Sequence, residues 1–313
     1  MFCKFASEIA KIVEGSLEGE DLQVTGLASL SKATRSKISF WTEPFPSGEA
    51  RTTNAGVVFV RNDFKGCLGS CRSLVRVADP YVAMVRFIEK CVLPLEYETG
   101  IVAPGAQVHA SAVVEGSVEA GAVIGPNCVV MPGAFVGTGT VLEANVTVYG
   151  GASLGKDCVV QAGAVIGSRG FGFFYDGAKR LPVPHVAGVR IGNRVGIGAN
   201  TVVAAGFLSP TEIGDDTQID ALVQIGHNCT IGRNVYMASQ SALAGTTVVE
   251  DDVEMAGAAK ASGHLTIGKG AKIAAKAGVI KNVPAGKVYA GFPAQEISEW
   301  RKGILELRKL TRK

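Results

Sequence analysis

From Ile124 onward an aliphatic residue returns every six positions: Val130, Val136, Leu142, Val148, Leu154, Val160 and Ile166. The register resumes at Ile191, Ile197 and Val203. It resumes again at Ile213 and runs through Ile219, Ile225, Ile231, Met237, Leu243, Val249, Met255, Ala261, Ile267 and Ile273 to Val279. Twenty of these 23 positions are Ile, Leu or Val, so the pattern is a packing requirement and not a product of composition. Gly often follows directly, as in Ile124-Gly125, Leu154-Gly155 and Ile231-Gly232. A small residue is common four positions on, as at Cys128, Ala164, Thr217 and Cys229. An α-helix repeats near 3.6 residues and a plain strand at two, so neither accounts for six. A prism does: each hexad makes a short strand and a corner, three hexads close one coil, and the aliphatic residues stack inside. Successive coils are then separated by roughly the 4.8 Å spacing of parallel strands.

The register has interruptions. The phase slips between Val114 and Val118, and residues 167–190 and 207–212 leave the repeat. A long excursion from a compact repeat is usually functional. The first is rich in glycine and aromatics (Arg169-Gly170-Phe171-Gly172-Phe173-Phe174-Tyr175) and then in proline, and it is expected to act as a lid over a neighbouring coil.

Residues 1–98 do not repeat and read as a small α/β domain. Helices are expected near Ser7–Glu14 and Pro80–Lys90, and strands near Leu22–Leu27 and Gly56–Val60. Residues 99–293 form the solenoid, and 294–313 a helical tail with Ile297, Trp300, Ile304, Leu307 and Leu310 at helical spacing. The tail carries six Lys/Arg against three Glu. It reads first as an amphipathic cap on the open end of the solenoid, and second as a basic face for an acidic partner.

Forty glycines against 13 Phe, 2 Trp and 6 Tyr suit a turn-rich fold with an aliphatic core. A net charge of +3 gives no reason to invoke nucleic acid. No stretch has the apolar length of a membrane span, and the N-terminus lacks the apolar core of a signal peptide. Seven cysteines without paired metal-site spacing point to a reduced, cytoplasmic protein. Cys128, Cys158 and Cys229 fall at the small inward position and read as buried apolar groups.

Only four histidines are available for chemistry. His109 reads as an exposed turn residue and His185 follows Pro184 in the long excursion. His227 and His264 fall at or near corners of the regular coils. Gly245 lies 18 residues after His227 and therefore stacks over it; His264 lies two coils and one residue beyond, roughly 10 Å away. A histidine base with an open backbone N–H one coil away suits acyl transfer, the N–H holding the oxyanion of the tetrahedral intermediate. Asp220, seven residues before His227, is a candidate to orient the imidazole. The bland alternative is that His227 is a polar corner residue. A zinc site needs three histidines at suitable spacing, and the chain has no His-x-x-x-x-His pair, so no metal is expected.

The residues resemble the UDP-3-O-(3-hydroxyacyl)glucosamine N-acyltransferase family of lipid A biosynthesis along essentially the whole chain. The resemblance rests on Val24-Thr25-Gly26-Leu27-Ala28-Ser29-Leu30 followed by Ile38-Ser39-Phe40, on Ile166-Gly167-Ser168-Arg169-Gly170-Phe171-Gly172-Phe173, and on Pro184-His185-Val186. Most specific is Ile219-Asp220 through Gln224-Ile225-Gly226-His227-Asn228, followed by Ile231-Gly232; Gly263-His264 and Gly291-Phe292-Pro293-Ala294 match as well. The chain departs from the pattern at Ala204-Ala205-Gly206 with Phe207-Leu208-Ser209-Pro210, at Trp41-Thr42-Glu43-Pro44-Phe45-Pro46, and at Arg169.

The resemblance implies a left-handed parallel β-helix, a uridine-binding N-terminal domain and a homotrimer with active sites between neighbouring helices. It implies a 3-hydroxyacyl transfer from acyl carrier protein to the 2-amine of UDP-3-O-(3-hydroxyacyl)glucosamine. His227 would be the base, Asp220 its support, Gly245 the oxyanion donor, and His264 a contact to the sugar-phosphate region or an aid to proton transfer. Phe40, Trp41, Phe45 and Asn228 would bind substrate, the aromatic on uracil being Trp41 or Phe45. The tail would dock the carrier protein. No dissociable cofactor is implied, the donor carrying its own phosphopantetheine. The competing readings are a UDP-sugar O-acyltransferase or CoA-dependent acetyltransferase, and a non-catalytic scaffold.

Overall fold

The computed structural model describes residues 2–175, 177–291 and 296–310. All 23 register positions are buried, and the chain from Val102 to Tyr289 winds into a left-handed parallel β-helix. Most of its strands are two residues long, and each pairs in parallel with the strand one coil away, as Val123 with Val141 and Val141 with Val159. They stack into three faces of ten, nine and eight strands. Each inward Ile, Leu or Val contributes about 1.5–3 kcal/mol by leaving water, and together they form one continuous core.

The small inward slot also has a polar use. Thr140, Thr217 and Cys229 occupy it, and each donates a hydrogen bond to a carbonyl of the next coil's corner. Cysteine thus stands in for threonine there. Burial pushes the Cys229 thiol up to about 11, which keeps it protonated and inert. Corners turn through left-handed backbone, filled mainly by Gly, Asn and Asp but also by Thr246 and His264.

The phase slip before Val118 is a shortened corner. Only Glu115 and Gly116 join strands Val113–Val114 and Ser117–Val118, whereas four residues make the next corner on that edge. Both large excursions leave at the same edge, between the nine- and eight-stranded faces. The first forms an antiparallel hairpin, Phe173–Tyr175 against Arg180–Pro182. Its hairpin packs on the N-terminal domain, Phe174, Leu181 and Val183 against Tyr81, Val82 and Val85, while Gly170 and His185 of the same excursion lie against His227 at the coil edge.

That domain is a five-stranded sheet with helices α1 (Ala6–Ile12) and α2 (Pro80–Cys91). The helices fall where the sequence pattern puts them; Asp79 caps α2 by accepting from the N–H groups of Tyr81 and Val82. The strands at Ser16–Gly19, Lys37–Phe40 and Ser73–Val77 were not evident from pattern. The second excursion docks the domain onto the helix. Leu208 enters its core, a burial of about 2 kcal/mol. Ser209 Oγ donates to Ser29 Oγ and accepts the Ser29 N–H, and Lys32 pairs with Glu212.

The tail forms helix α3 (Ile297–Leu310), and none of its described residues is buried. The expected cap on the open end is therefore not what α3 makes: Trp300, Leu305 and Leu307 face solvent instead of a core. The Phe292-Pro293-Ala294 stretch lies outside the described residues.

Candidate active site

The edge that carries both excursions also carries His227. It sits two residues past the strand Gln224–Ile225, and Gly245 occupies the same slot one coil on. A Cβ added to Gly245 would lie 2.6 Å from both Cε1 and Nε2 of His227. The imidazole edge therefore rests directly over the Gly245 backbone, a position only glycine leaves open.

Asn228 decides which ring nitrogen is free. Its Oδ1 accepts the Phe207 N–H at 3.0 Å, and its Nδ2 donates to the Ser209 carbonyl at 2.7 Å. Its own N–H donates to Thr211 Oγ1 at 2.9 Å. With the amide oriented in this way, the Oδ1 that lies 3.1 Å from His227 Nδ1 is an acceptor. The network thus assigns the proton to Nδ1 and leaves Nε2 with its lone pair on the Gly245 side. The bonds to Phe207 and Ser209 come from the second excursion, so the segment that docks the N-terminal domain also sets the tautomer.

The Gly245 N–H is open. Its neighbours are used up, Ala244 N–H by the Ala261 carbonyl and Thr246 N–H by the His227 carbonyl. At several corners of the other two edges the N–H in this slot is capped by a side chain. Asp251 caps Arg233, Glu250 caps Lys269, Asp220 caps Ser239 and Glu143 caps Ala162. Among the described residues Gly245 has no such cap. An uncapped donor beside an unprotonated imidazole nitrogen suits a developing oxyanion.

Asp220 does not join this group. Seven residues are one hexad plus one, which carries Asp220 to the preceding corner, between the ten- and nine-stranded faces. Its Oδ1 accepts the Ala221 N–H at 2.7 Å and its Oδ2 the Ser239 N–H at 3.1 Å. Within the chain, Asn228 holds the position at Nδ1 that Asp220 was expected to take.

His264 stacks in the column of Asn228 and Thr246, and its N–H donates to the Gly245 carbonyl at 3.2 Å. Its side chain is exposed and lines a cavity of about 530 Å³ between the β-helix and the N-terminal domain. Asn228, Lys32, Phe40, Trp41 and Phe207 line the same cavity. Phe40 packs edge-on against Tyr81 of α2. Trp41 donates its indole N–H to the Phe45 carbonyl at 3.1 Å, while the Phe45 ring is 62% exposed and outside the cavity. Of the two aromatics left open by the sequence, Trp41 is the one beside the site.

His185 was not singled out by the sequence, and neither was Gly170. The His185 and His227 ring centroids are 4.8 Å apart, and a Cβ on Gly170 would meet both histidines. No signal in the sequence reveals this, because the path of an excursion is not set by the repeat. His109 sits in an exposed turn, bonded to Ser111.

The family model described as UDP-3-O-(3-hydroxymyristoyl) glucosamine N-acyltransferase, LpxD, matches residues 21–90. Models of bacterial transferase hexapeptide repeats match 210–245, and those of succinyl-transferase hexapeptide repeats match 117–150, 147–168 and 188–221. The UDP-3-O-acylglucosamine N-acyltransferase of Wolinella succinogenes is 35% identical over 315 residues, 95% of each chain. That of Methylobacterium sp. (strain 4-46) is 41% identical over 144 residues, a match spanning 46% of this chain and only 41% of that protein. Among solved structures, the UDP-N-acetylglucosamine acyltransferase of Francisella novicida superposes with a TM-score of 0.52. It has 26% identity and covers 65% of this chain and 74% of its own.

Proposed function

Because the chain belongs to the UDP-3-O-acylglucosamine N-acyltransferase family, we propose that it acylates the 2-amine of UDP-3-O-(3-hydroxyacyl)glucosamine. In this reading the donor is a 3-hydroxyacyl thioester on acyl carrier protein, in the cytoplasm. The observation that carries the proposal is the pairing of His227 Nε2 with the open N–H of Gly245.

The amine attacks the thioester carbonyl as Nε2 takes its proton. The C=O electron pair moves onto oxygen, and the Gly245 N–H holds that oxyanion. Collapse forms the amide, breaks the C–S bond and releases the pantetheine thiol, which leaves with the proton returned by His227. Asn228 keeps the Nδ1 proton in place throughout, so that Nε2 can act as the base. The nucleotide lies in the cavity between the domains, with its base against Phe40 and Trp41 and its phosphates toward His264. The exposed basic side chains of α3 suit docking of an acidic carrier protein. A trimer would complete each site with the edge of a neighbouring helix.

The reading is tested by incubating the protein with UDP-3-O-acyl-glucosamine and 3-hydroxyacyl carrier protein, and following the diacylated product by mass spectrometry. No product at any chain length would reject it. Product formed instead on a hydroxyl of UDP-N-acetylglucosamine would favour the O-acyltransferase reading.

Asn228→Ala is expected to lower kcat about 10- to 100-fold, since it frees the tautomer that a neighbouring hydrogen bond sets. Steady-state kinetics checks this; unchanged kcat would remove Asn228 from the mechanism.

A further inference from the structure

The mechanism above leaves His185 unused, although its ring packs against that of the base. Its ring lies 4.8 Å from the His227 ring, tilted by 56°. Its Nδ1 is 3.0 Å from the Val183 carbonyl oxygen, which can only accept, so the His185 proton sits on Nδ1. Gly170 closes over the pair: a Cβ there would stand 2.6 Å from His185 Nε2 and 2.7 Å from the His227 Cβ. Phe207, whose N–H orients Asn228, meets the His185 ring at 6.2 Å. His227 is therefore confined by Asn228 at Nδ1, by Gly245 under the Nε2 edge, and by His185 against the ring.

We infer that His185 is a positioning residue for His227, an uncharged ring that holds the imidazole with Nε2 over Gly245. The inference rests on the reading of His227 as the base. An uncharged neighbour is what the chemistry requires, because His227 becomes cationic when it takes the amine proton. A second cation packed on it would oppose that step, whereas an uncharged aromatic ring tolerates it. Burial, then the nearness of His227, pushes His185 down to about 4, against the opposing pull of the Val183 carbonyl. Arg169 acts in the same direction, and Glu89 and Glu96 share the adjoining cavity of about 790 Å³. At neutral pH His185 is thus uncharged. Its position on the first excursion, between the hairpin packed on α2 and the coil edge, ties the base to the N-terminal domain.

The test compares His185→Ala with His185→Phe, which restores an uncharged ring, and with His227→Ala. His185→Ala is expected to lower kcat about 10- to 100-fold, the scale of a misplacement near 1 Å, with KM changed less than about threefold. His185→Phe is expected to recover kcat to within about threefold of the parent. Thermal unfolding of each variant separates positioning from loss of fold, and His185→Asn replaces the alanine variant should that one not fold. Because the chain has only four histidines, ring 15N shifts of histidine-labelled protein report His227 directly. They should change in His185→Ala and return in His185→Phe. An alanine variant with kcat within threefold of the parent, or a folded phenylalanine variant as slow as alanine, overturns the inference, as do unchanged His227 shifts. If His227→Ala is inactive while His185→Ala is not impaired, only the role of His185 falls. If His227→Ala keeps its turnover, the base assignment falls and takes this role with it.

Discussion

His227→Ala is expected to lower kcat by roughly 100- to 10,000-fold, the range that a positioned general base contributes. The loss should come without loss of the fold. His227 is a corner residue and not part of the stacked aliphatic core, and among the described residues its side chain makes one hydrogen bond, to Asn228. Removing that bond costs about 1 kcal/mol, small against a core that runs the length of the β-helix. The measurement is kcat by product mass spectrometry, beside thermal unfolding of the same sample. A folded variant with near-normal turnover would show that the proton leaves by another route.

Gly245→Ala should be nearly as damaging for a different reason. The backbone at Gly245 is not in the left-handed region, so alanine is conformationally acceptable there. What it cannot do is share space with the imidazole, since its Cβ would stand 2.6 Å from Cε1 and Nε2 of His227. The ring must shift away from the N–H that holds the oxyanion, and a displacement near 1 Å costs about 100-fold. Gly257→Ala is the control. It fills the same slot at another edge, where the nearest atom to an added Cβ is the Ser239 carbonyl oxygen at 3.7 Å. That variant should keep parental turnover. Equal activity in Gly245→Ala would mean that the stacking of glycine under histidine has no catalytic meaning.

The two substitutions probe features of different legibility. The relation of Gly245 to His227 is readable from the sequence, because an in-register solenoid converts 18 residues into one step along its axis, as the pairing of Gln224 with Ala242 bears out. The same arithmetic explains why Asp220 was misplaced. Closeness in the chain suggests closeness in space for a helix or a hairpin, but in a β-helix seven residues lead around to another corner. Asn228 was legible as a neighbour of the base but not as its orienter. That role depends on the Phe207 N–H and the Ser209 carbonyl, which reach it from outside the repeat.

The sequence by itself determined the β-helix, its buried positions, the column that stacks Gly245 on His227 and the neighbouring column that holds His264. It could do so because the six-residue period is a local rule: each coil is bonded to the next in one register, and burial of the aliphatic residues permits no other. Only the tertiary structure decided what surrounds that column. The orientation of Asn228, the presence of Trp41 and the absence of Phe45, and the packing of His185 on His227 all depend on two excursions and a docked domain. Their contacts join residues far apart in the chain, such as Ser29 with Ser209, and no period in the sequence encodes contacts of that kind.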